Sequence, residues 1–354
     1  MFKDIEIISR NDSNLFQKYW KNFLDNNTHS LNYTLEYIEY YNSYCKNIIQ
    51  DLSFIFVKKN ISVGICFLPI EKHEDTLSIT LGGSYLLAPL CDSKVEKQIY
   101  QYIERIAIQH NVTHIQFAQD PNLEFNIPNQ FNYLKKYNFI EMNSLNSTVD
   151  LTLSKESLWS NLSKSFKSLI NKYTKTTSHT LHIMNKENCN WDTMNQFYLL
   201  HKKIAGQYAR DIELFQAQYK LIQQGFGSLY YIKEDKQLLS CSLFFHYKAF
   251  VTYASSVSEN LVEKPPLSHY TLWNAIVNFK QENYKLIQFS QPSGYGLSTG
   301  IDDLATAKEL SIASFKRNMG AISSTLYRGS KYYDKALLEE KLLHFLDHWS
   351  HQSE

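Results

Sequence analysis

Two stretches of this 354-residue chain repeat one another. Residues 108–119 read Ile-Gln-His-Asn-Val-Thr-His-Ile-Gln-Phe-Ala-Gln, and residues 280–291 read Lys-Gln-Glu-Asn-Tyr-Lys-Leu-Ile-Gln-Phe-Ser-Gln. Gln, Asn, Ile, Gln, Phe and Gln recur in register, 172 residues apart. Each copy reads as a helix end, a polar turn at Asn and a short strand. The match extends upstream, where Gly82-Gly83-Ser84 stands 172 residues before Ala254-Ser255-Ser256. Further up, residues 53–58 resemble residues 228–233 at an offset of 175, which Cys66 and Cys241 share. One insertion of three residues reconciles the two spacings. A period this long exceeds the roughly 20–50 residues of a solenoid unit, so the chain reads as two copies of one whole domain.

The periodicities predict the same element order in both copies. The first has helices over 14–27 and 34–44, strands over 52–58, 62–70 and 76–81, a helix over 94–110 and a strand over 115–118, with a further helix and strand within 128–152. The second opens with residues 155–162, then an amphipathic basic run at 163–172 and a strand at 180–183. It continues with helices over 192–209 and 216–224, strands over 229–233, 238–247 and 249–255, a helix over 267–282 and a strand over 286–289. A Gly-rich loop (294–300) follows, a last element of that domain begins at Phe315–Met319, and residues 331–351 read as a helix. Two helices, three strands joined by short turns, a helix and one more strand describe an α+β domain whose mixed, mostly antiparallel sheet is flanked by helices. The expected domains are 1–150 and 151–330, the C-terminal helix 331–354 returning to the first.

Composition narrows the function. A net charge of +1 supplies no global field toward DNA or anionic lipid, though it leaves room for a local basic groove. The five cysteines show no metal-ligand spacing and fit a reducing compartment. The N-terminus lacks the apolar core of a signal peptide, and no apolar run approaches the ~20 residues of a membrane span. The expectation is a soluble cytoplasmic protein, with room for a peripheral membrane contact through exposed aromatics. Nucleophile elbows, phosphate-binding Walker loops and His-Glu-x-x-His helices do not occur.

The doubled element order resembles two GNAT acyltransferase folds in tandem, and at this length it is similar to the Fem-type (FemABX-like) aminoacyltransferases. Four segments carry the resemblance. They are the basic run Lys164–Lys172 after Trp159-Ser-Asn-Leu162, the helix end Gln207-Tyr208-Ala209-Arg210, the strand end Tyr253-Ala254-Ser255-Ser256, and Phe315-Lys316-Arg317-Asn318-Met319-Gly320. The resemblance implies transfer of an aminoacyl or acyl group to an amino group of an envelope precursor, an amino sugar or a peptide stem. It implies aminoacyl-tRNA or acyl-CoA as co-substrate, so that tRNA enters as a partner, and no permanently bound cofactor or metal.

On that reading Lys316 supplies positive charge to the oxyanion of a tetrahedral intermediate. Arg210 clamps a phosphate or carboxylate, and Tyr208, Tyr253, Ser256 and Gln291 contact substrate. Lys164, Lys167 and Lys172 are weaker candidates for a phosphate-bearing donor. The chain departs from the family in having Ser290 or Gln291 where members often carry an acid, and in lacking a basic residue within 34–41. The nearest thing to a CoA pyrophosphate loop, Gln223-Gln224-Gly225-Phe226-Gly227, has the wrong spacing and precedes a strand. An acetyl-CoA-dependent sugar N-acetyltransferase and a non-catalytic binding module with the doubled fold are the alternatives.

Overall fold

The structure is a computed structural model that describes residues 4–123, 131–176, 179–235, 237–259, 267–290 and 306–351. In chain order its elements are β1 (Glu6–Ser9), α1 (Ser13–Asn26), α2 (Leu35–Tyr44), β2 (Ile48–Asp51), β3 (Phe54–Lys58), β4 (Ile61–Cys66), β5 (Pro69–His73), β6 (Thr76–Ile79), β7 (Leu86–Leu87), β8 (Leu90–Cys91), α3 (Glu96–Gln109), β9 (His114–Ala118), β10 (Ile140–Glu141), β11 (Ser144–Asp150), α4 (Lys155–Asn161), α5 (Lys164–Thr176), β12 (Leu181–Met184), α6 (Trp191–Ala205), α7 (Ile212–Gln223), β13 (Gly227–Glu234), β14 (Gln237–Tyr247), β15 (Phe250–Ser258), α8 (Leu267–Gln281), β16 (Leu286–Ser290), α9 (Ala307–Asn318), β17 (Ile322–Leu326), β18 (Arg328–Tyr332) and α10 (Lys335–His351). Two compact units result. Their described residues fall within 4–144 and 325–351 for the first, and within 145–290 and 306–324 for the second.

Within the first unit, α1 buries Phe16, Trp20, Phe23 and Leu24, a helical stripe whose start is capped by Asp12. The Trp20 indole donates to the Tyr33 carbonyl at 2.7 Å. On the other face of the strands, α3 packs Ile99, Ile103 and Ala107 into a core with Phe54, Phe56, Ile79, Ile115 and Phe117. Within the second unit, α8 does the same with Leu272, Ala275, Ile276 and Phe279, against Tyr230, Phe244, Val251, Ile287 and Phe289. Each leucine, isoleucine, valine or phenylalanine among them contributes about 1.5–3 kcal/mol on leaving water.

The sheets carry the doubling. In the second unit the strand order is β12-β13-β14-β15-β16-β11-β17. In the first, β1-β3-β4-β8 and β10-β18-β9-β6-β5-β2 are joined where β4 passes through Phe67 and Leu68 into β5. With β4 and β5 taken as one bent strand, the shared order becomes β1-β3-β4/β5-β6-β9-β18-β10, the same as in the second unit. Parallel pairing coincides to the residue. Ser78 and Ile79 face His114 and Ile115, while Phe250 and Val251 face Leu286 and Ile287, each 172 further on.

The sixth place is filled unexpectedly. Next to β9 lies β18, from the end of the chain, and next to β16 lies β11, from its middle.

Several expectations are corrected. The β3–β4 hairpin corresponds to β13–β14 at an offset of 176, not 175, because Phe56 pairs with Gly64 and Ile232 with Ser240, each just before the bulge in its hairpin. The agreement of Cys66 with Cys241 is therefore one of letters, not of place. The helix expected within 128–152 is, in its described part, a 3-10 turn at Tyr133–Tyr137 ended by Asn138 at φ +62°. Phe315–Met319 does not begin an element but closes α9, whose start at Thr306 is fixed by a capping box with Glu309. Lys331 and Tyr332 belong to β18, and the tail helix starts at Lys335, where Asp334 accepts from the Ala336 amide at 2.9 Å.

Gly64 is a sharp test of how α3 sits on β4. A Cβ there would stand 2.5 Å from Ile99 Cδ1 and 2.7 Å from Cys91 Cβ. Gly64→Ala is expected to lower stability by about 1–3 kcal/mol through overpacking, read as a lower urea midpoint at unchanged slope.

Candidate active site

β15 and β16 run parallel for three residue pairs, ending at Thr252 with Gln288, and pair no further. β15 continues to Ser258 and β16 to Ser290, so the strands part. Both carry a bulge at that point. Opposite β14, Leu243 faces Ser255 and Phe244 faces Tyr253, leaving Ala254 unmatched. Opposite β11, Ser147 faces Ser290 and Thr148 faces Gln288, leaving Phe289 unmatched. Bulges redirect side chains and end pairing. Ser290 itself sits at φ +55°, a strained conformation for a non-glycine residue.

The carbonyl of Ser290 is met by Lys316, whose Nζ donates to it at 3.0 Å from the last turn of α9. Lys316 is 3% exposed, and burial pulls its titration down to about 8. Neighbouring rings fix its base. Phe315 lies 5.4 Å from Phe166 and 5.3 Å from His269, centroid to centroid. Burial holds His269 down to about 4, so that ring is a neutral packing partner at pH 7.

These groups open on a cleft of about 630 Å³ whose described lining includes Arg210, Tyr253, Ser256 and Lys316, together with His201 and Lys308. Arg210 follows a 3-10 turn (Gly206–Tyr208) and precedes Asp211, the cap of α7. Burial pushes the Tyr253 phenol up, while the Ser256 and Ser242 hydroxyls draw it down; its ring meets Phe289 edge-on at 5.3 Å. The Ser256 hydroxyl donates to the Cys241 carbonyl at 3.0 Å across the β14–β15 ladder. His201 is lowered by burial and by Arg210, which leaves a neutral imidazole at pH 7. No carboxylate lines the cleft among the described residues.

Lys164, Lys167 and Lys172 are not brought to this lining. α5 turns Phe166, Ile170 and Tyr173 inward, and Lys167 donates to the Ser160 carbonyl at 2.8 Å. The Tyr208 side chain and Gln291 lie outside the described residues. Sequence reasoning passed over His201 and Lys308. The spacing of Lys308, Ser311, Ile312 and Phe315 was a usable sign, being one face of a helix.

The first unit treats the same place differently. After β6 the chain reverses at Gly82 and Gly83, both left-handed (φ +60° and +72°). β7 then lies parallel to β9, Leu86 with Phe117 and Leu87 with Ala118, so the gap is filled by the chain itself. Glu71, wholly buried, locks the turn. Its carboxylate accepts from the Gly82 amide at 2.6 Å, the Gly83 amide at 2.9 Å and the Thr80 hydroxyl. In the second copy Ala254-Ser255 replaces the two glycines, and β15 runs on extended.

Among the described residues there is no cluster of three or more metal-ligating side chains and no helix long and apolar enough to cross a membrane. The five cysteines are free.

No family model matches the chain, and no curated protein matches it in sequence. Solved structures match in fold. FemX superposes with a TM-score of 0.62 at 12% identity over 91% of this chain and 96% of its own. L-PGS from Bacillus licheniformis gives 0.58 at 10% identity over 93% and 95%. A tandem GNAT protein from the clavulanic acid biosynthesis pathway gives 0.52 at 8% identity over 93% and 98%. The chain therefore has the Fem-like tandem GNAT fold.

Burial pushes Glu71 up, but hydrogen bonds from Thr80, Gly83, Gly82 and His73 outweigh it and hold the carboxyl below its ordinary value of 4.5. The stability this confers is present in full above pH 4.5 and is lost as pH falls through the lower, folded-state value. Glu71→Gln is expected to flatten that acid dependence. Glu71→Ala, which takes the acceptor away from the Thr80 hydroxyl and from the part-buried Gly82 and Gly83 amides, is expected to cost about 1–3 kcal/mol. Thermal midpoints across pH check both.

Proposed function

We propose that the protein is a Fem-like acyltransferase that moves an aminoacyl or acyl group onto an amino group of a cell-envelope precursor. The observation that carries this reading is Lys316, a buried ammonium held against the last carbonyl of a parted strand and facing a 630 Å³ cleft. Parted strands leave backbone amides and carbonyls without sheet partners, able to hold an acyl chain in extended form.

The acceptor nitrogen, neutral when it attacks, forms the new C–N bond at the donor carbonyl. Charge collects on the carbonyl oxygen, where a buried cation acts in a low-dielectric setting. The tetrahedral intermediate then breaks its bond to the leaving hydroxyl or thiol, and the amine proton leaves with solvent or the departing group. Arg210 and Lys308 suit the phosphates of a nucleotide-borne donor or acceptor. Tyr253 supports one wall of the acyl channel.

Aminoacyl-tRNA is the donor this reading favours. The similarity to FemX extends over nearly the whole of both chains, and the sequence offers no Gly-rich turn of the CoA type. The acyl-CoA alternative keeps its own support in the tandem GNAT neighbour, a protein solved without AcCoA. A thermal-shift screen separates them, since acetyl-CoA should leave the midpoint unmoved if the donor is aminoacyl-tRNA. Mass spectrometry of envelope glycans and precursors from a deletion strain should show one missing aminoacyl or acyl increment. An unchanged profile would sink the envelope assignment.

Lys316→Met should act with opposite signs on stability and turnover. Charging a buried lysine with a depressed titration opposes folding at neutral pH, so its replacement is expected to raise stability by roughly 1–3 kcal/mol. The same change should lower transfer about 100-fold or more. In the parent enzyme the contribution of the ammonium should fall as pH rises through about 8, and Lys316→Arg should move that limb upward.

A further inference from the structure

We infer that the unit formed by 1–144 and 325–354 carries a second small-molecule site, which takes a planar ring bearing one carboxylate or phosphate. The site is a cavity of about 390 Å³ between α3, the segment after the 3-10 turn at Tyr133–Tyr137, and the ends of β9 and β18. That volume is at the small end of the range for ligand pockets. It suits one ring system with a single charged group.

One wall is a fixed aromatic plate. Tyr137 stacks flat on Tyr100, centroids 3.9 Å apart and planes 8° from parallel, and its hydroxyl is held by Glu96. Phe139 continues the wall, 6.1 Å from Tyr100. Aromatic plates take planar rings by offset stacking or edge contact.

The charge at the inner end is of the opposite kind. Lys331 is drawn in beneath the surface, its side chain 13% exposed, and donates to Glu104 at 2.9 Å and to the Tyr137 carbonyl at 3.2 Å. Beside it the Tyr333 hydroxyl is buried with no hydrogen-bond partner among the described residues. A buried phenol without an acceptor is an unmet demand that an anionic oxygen would satisfy. Lys97 and Lys136 stand at the rim, so three lysines face a single carboxylate. That carboxylate, Glu104, is 43% exposed and can turn to water, since an exposed ion pair contributes little. Its departure would leave Lys331 and Tyr333 to hold an incoming carboxylate or phosphate. None of these residues belongs to the cleft that contains Lys316.

Calorimetric titration of the full-length protein with adenosine 5′-monophosphate, indole-3-acetate and inorganic phosphate tests the assignment. The expected result is saturable one-site binding of at least one ring-bearing anion, with inorganic phosphate at least about tenfold weaker. Whether the nucleotide or the aromatic acid binds identifies the source of the anion. Tyr333→Phe, which removes only the buried hydroxyl, and Lys331→Met should each weaken binding about tenfold, while Lys316→Met leaves it unchanged. Thermal midpoints confirm that the variants are folded, and Tyr333→Phe decides the matter if Lys331→Met is not. Lack of saturation by both ring anions would overturn the proposal. So would phosphate binding as tightly as the nucleotide, or affinity that depends on Lys316 and not on Tyr333.

Discussion

The proposed chemistry of this molecule depends on two strands that stop pairing. Thr252 and Gln288 form the last contact of the parallel ladder between β15 and β16. Beyond them each strand carries an unmatched residue, Ala254 on one and Phe289 on the other. A continuous ladder would have spent its amides and carbonyls on itself. Among the described residues the parting leaves the facing edges of the two strands unpaired with each other and makes the opening in which Tyr253 meets Phe289 and Lys316 reaches Ser290. The left-handed Ser290 and the buried Lys316 are both unfavourable in isolation. The tolerance of two such features at one point, tied together by one hydrogen bond, argues for a site rather than an accident of packing.

The other copy shows how little is needed to close such an opening. Two glycines let the chain turn back at Gly82 and Gly83, and one buried carboxylate fastens the turn. The contrast with Ala254-Ser255 was in plain view in the aligned sequences, yet the alignment alone suggested likeness. What differs is backbone freedom. Glycine enters the left-handed region at no steric cost, and alanine and serine do not.

The parts of the fold that were legible are those with local signatures. The repeat around Asn111 and Asn283 coincides with the observed pairing to the residue, because helix end, turn and strand are each set by a few neighbouring side chains. The upstream hairpin was misplaced by one residue because matching serines and cysteines outweighed the bulge, which leaves no mark in composition. The extent of α9 was missed although Thr306 and Glu309 form a recognisable capping box. Among the candidate site residues, Arg210, Tyr253, Ser256 and Lys316 were named from motif resemblance and are found around one cleft. His201 was passed over because a lone histidine on a helix has no pattern, and the basic run of α5, the weaker candidate, lies off this cleft because charge density alone does not say which way a helix faces.

No local pattern announces the exchange of strands. β10 and β11 are separated by two residues, and β17 and β18 by one, yet each pair serves two different sheets. The neighbour that completes β9 is therefore made almost last. On the ribosome, Tyr332 follows Ser144 by 188 positions, about 10–40 s of elongation at ordinary rates. Throughout that interval β9 presents a bare edge with Ile115 and Phe117 on it, the kind of surface that recruits stray strands. The N-terminal half must wait, exposed to wrong pairings, until the tail arrives, and a nascent chain that stalls near its end leaves behind a product without its closing strand.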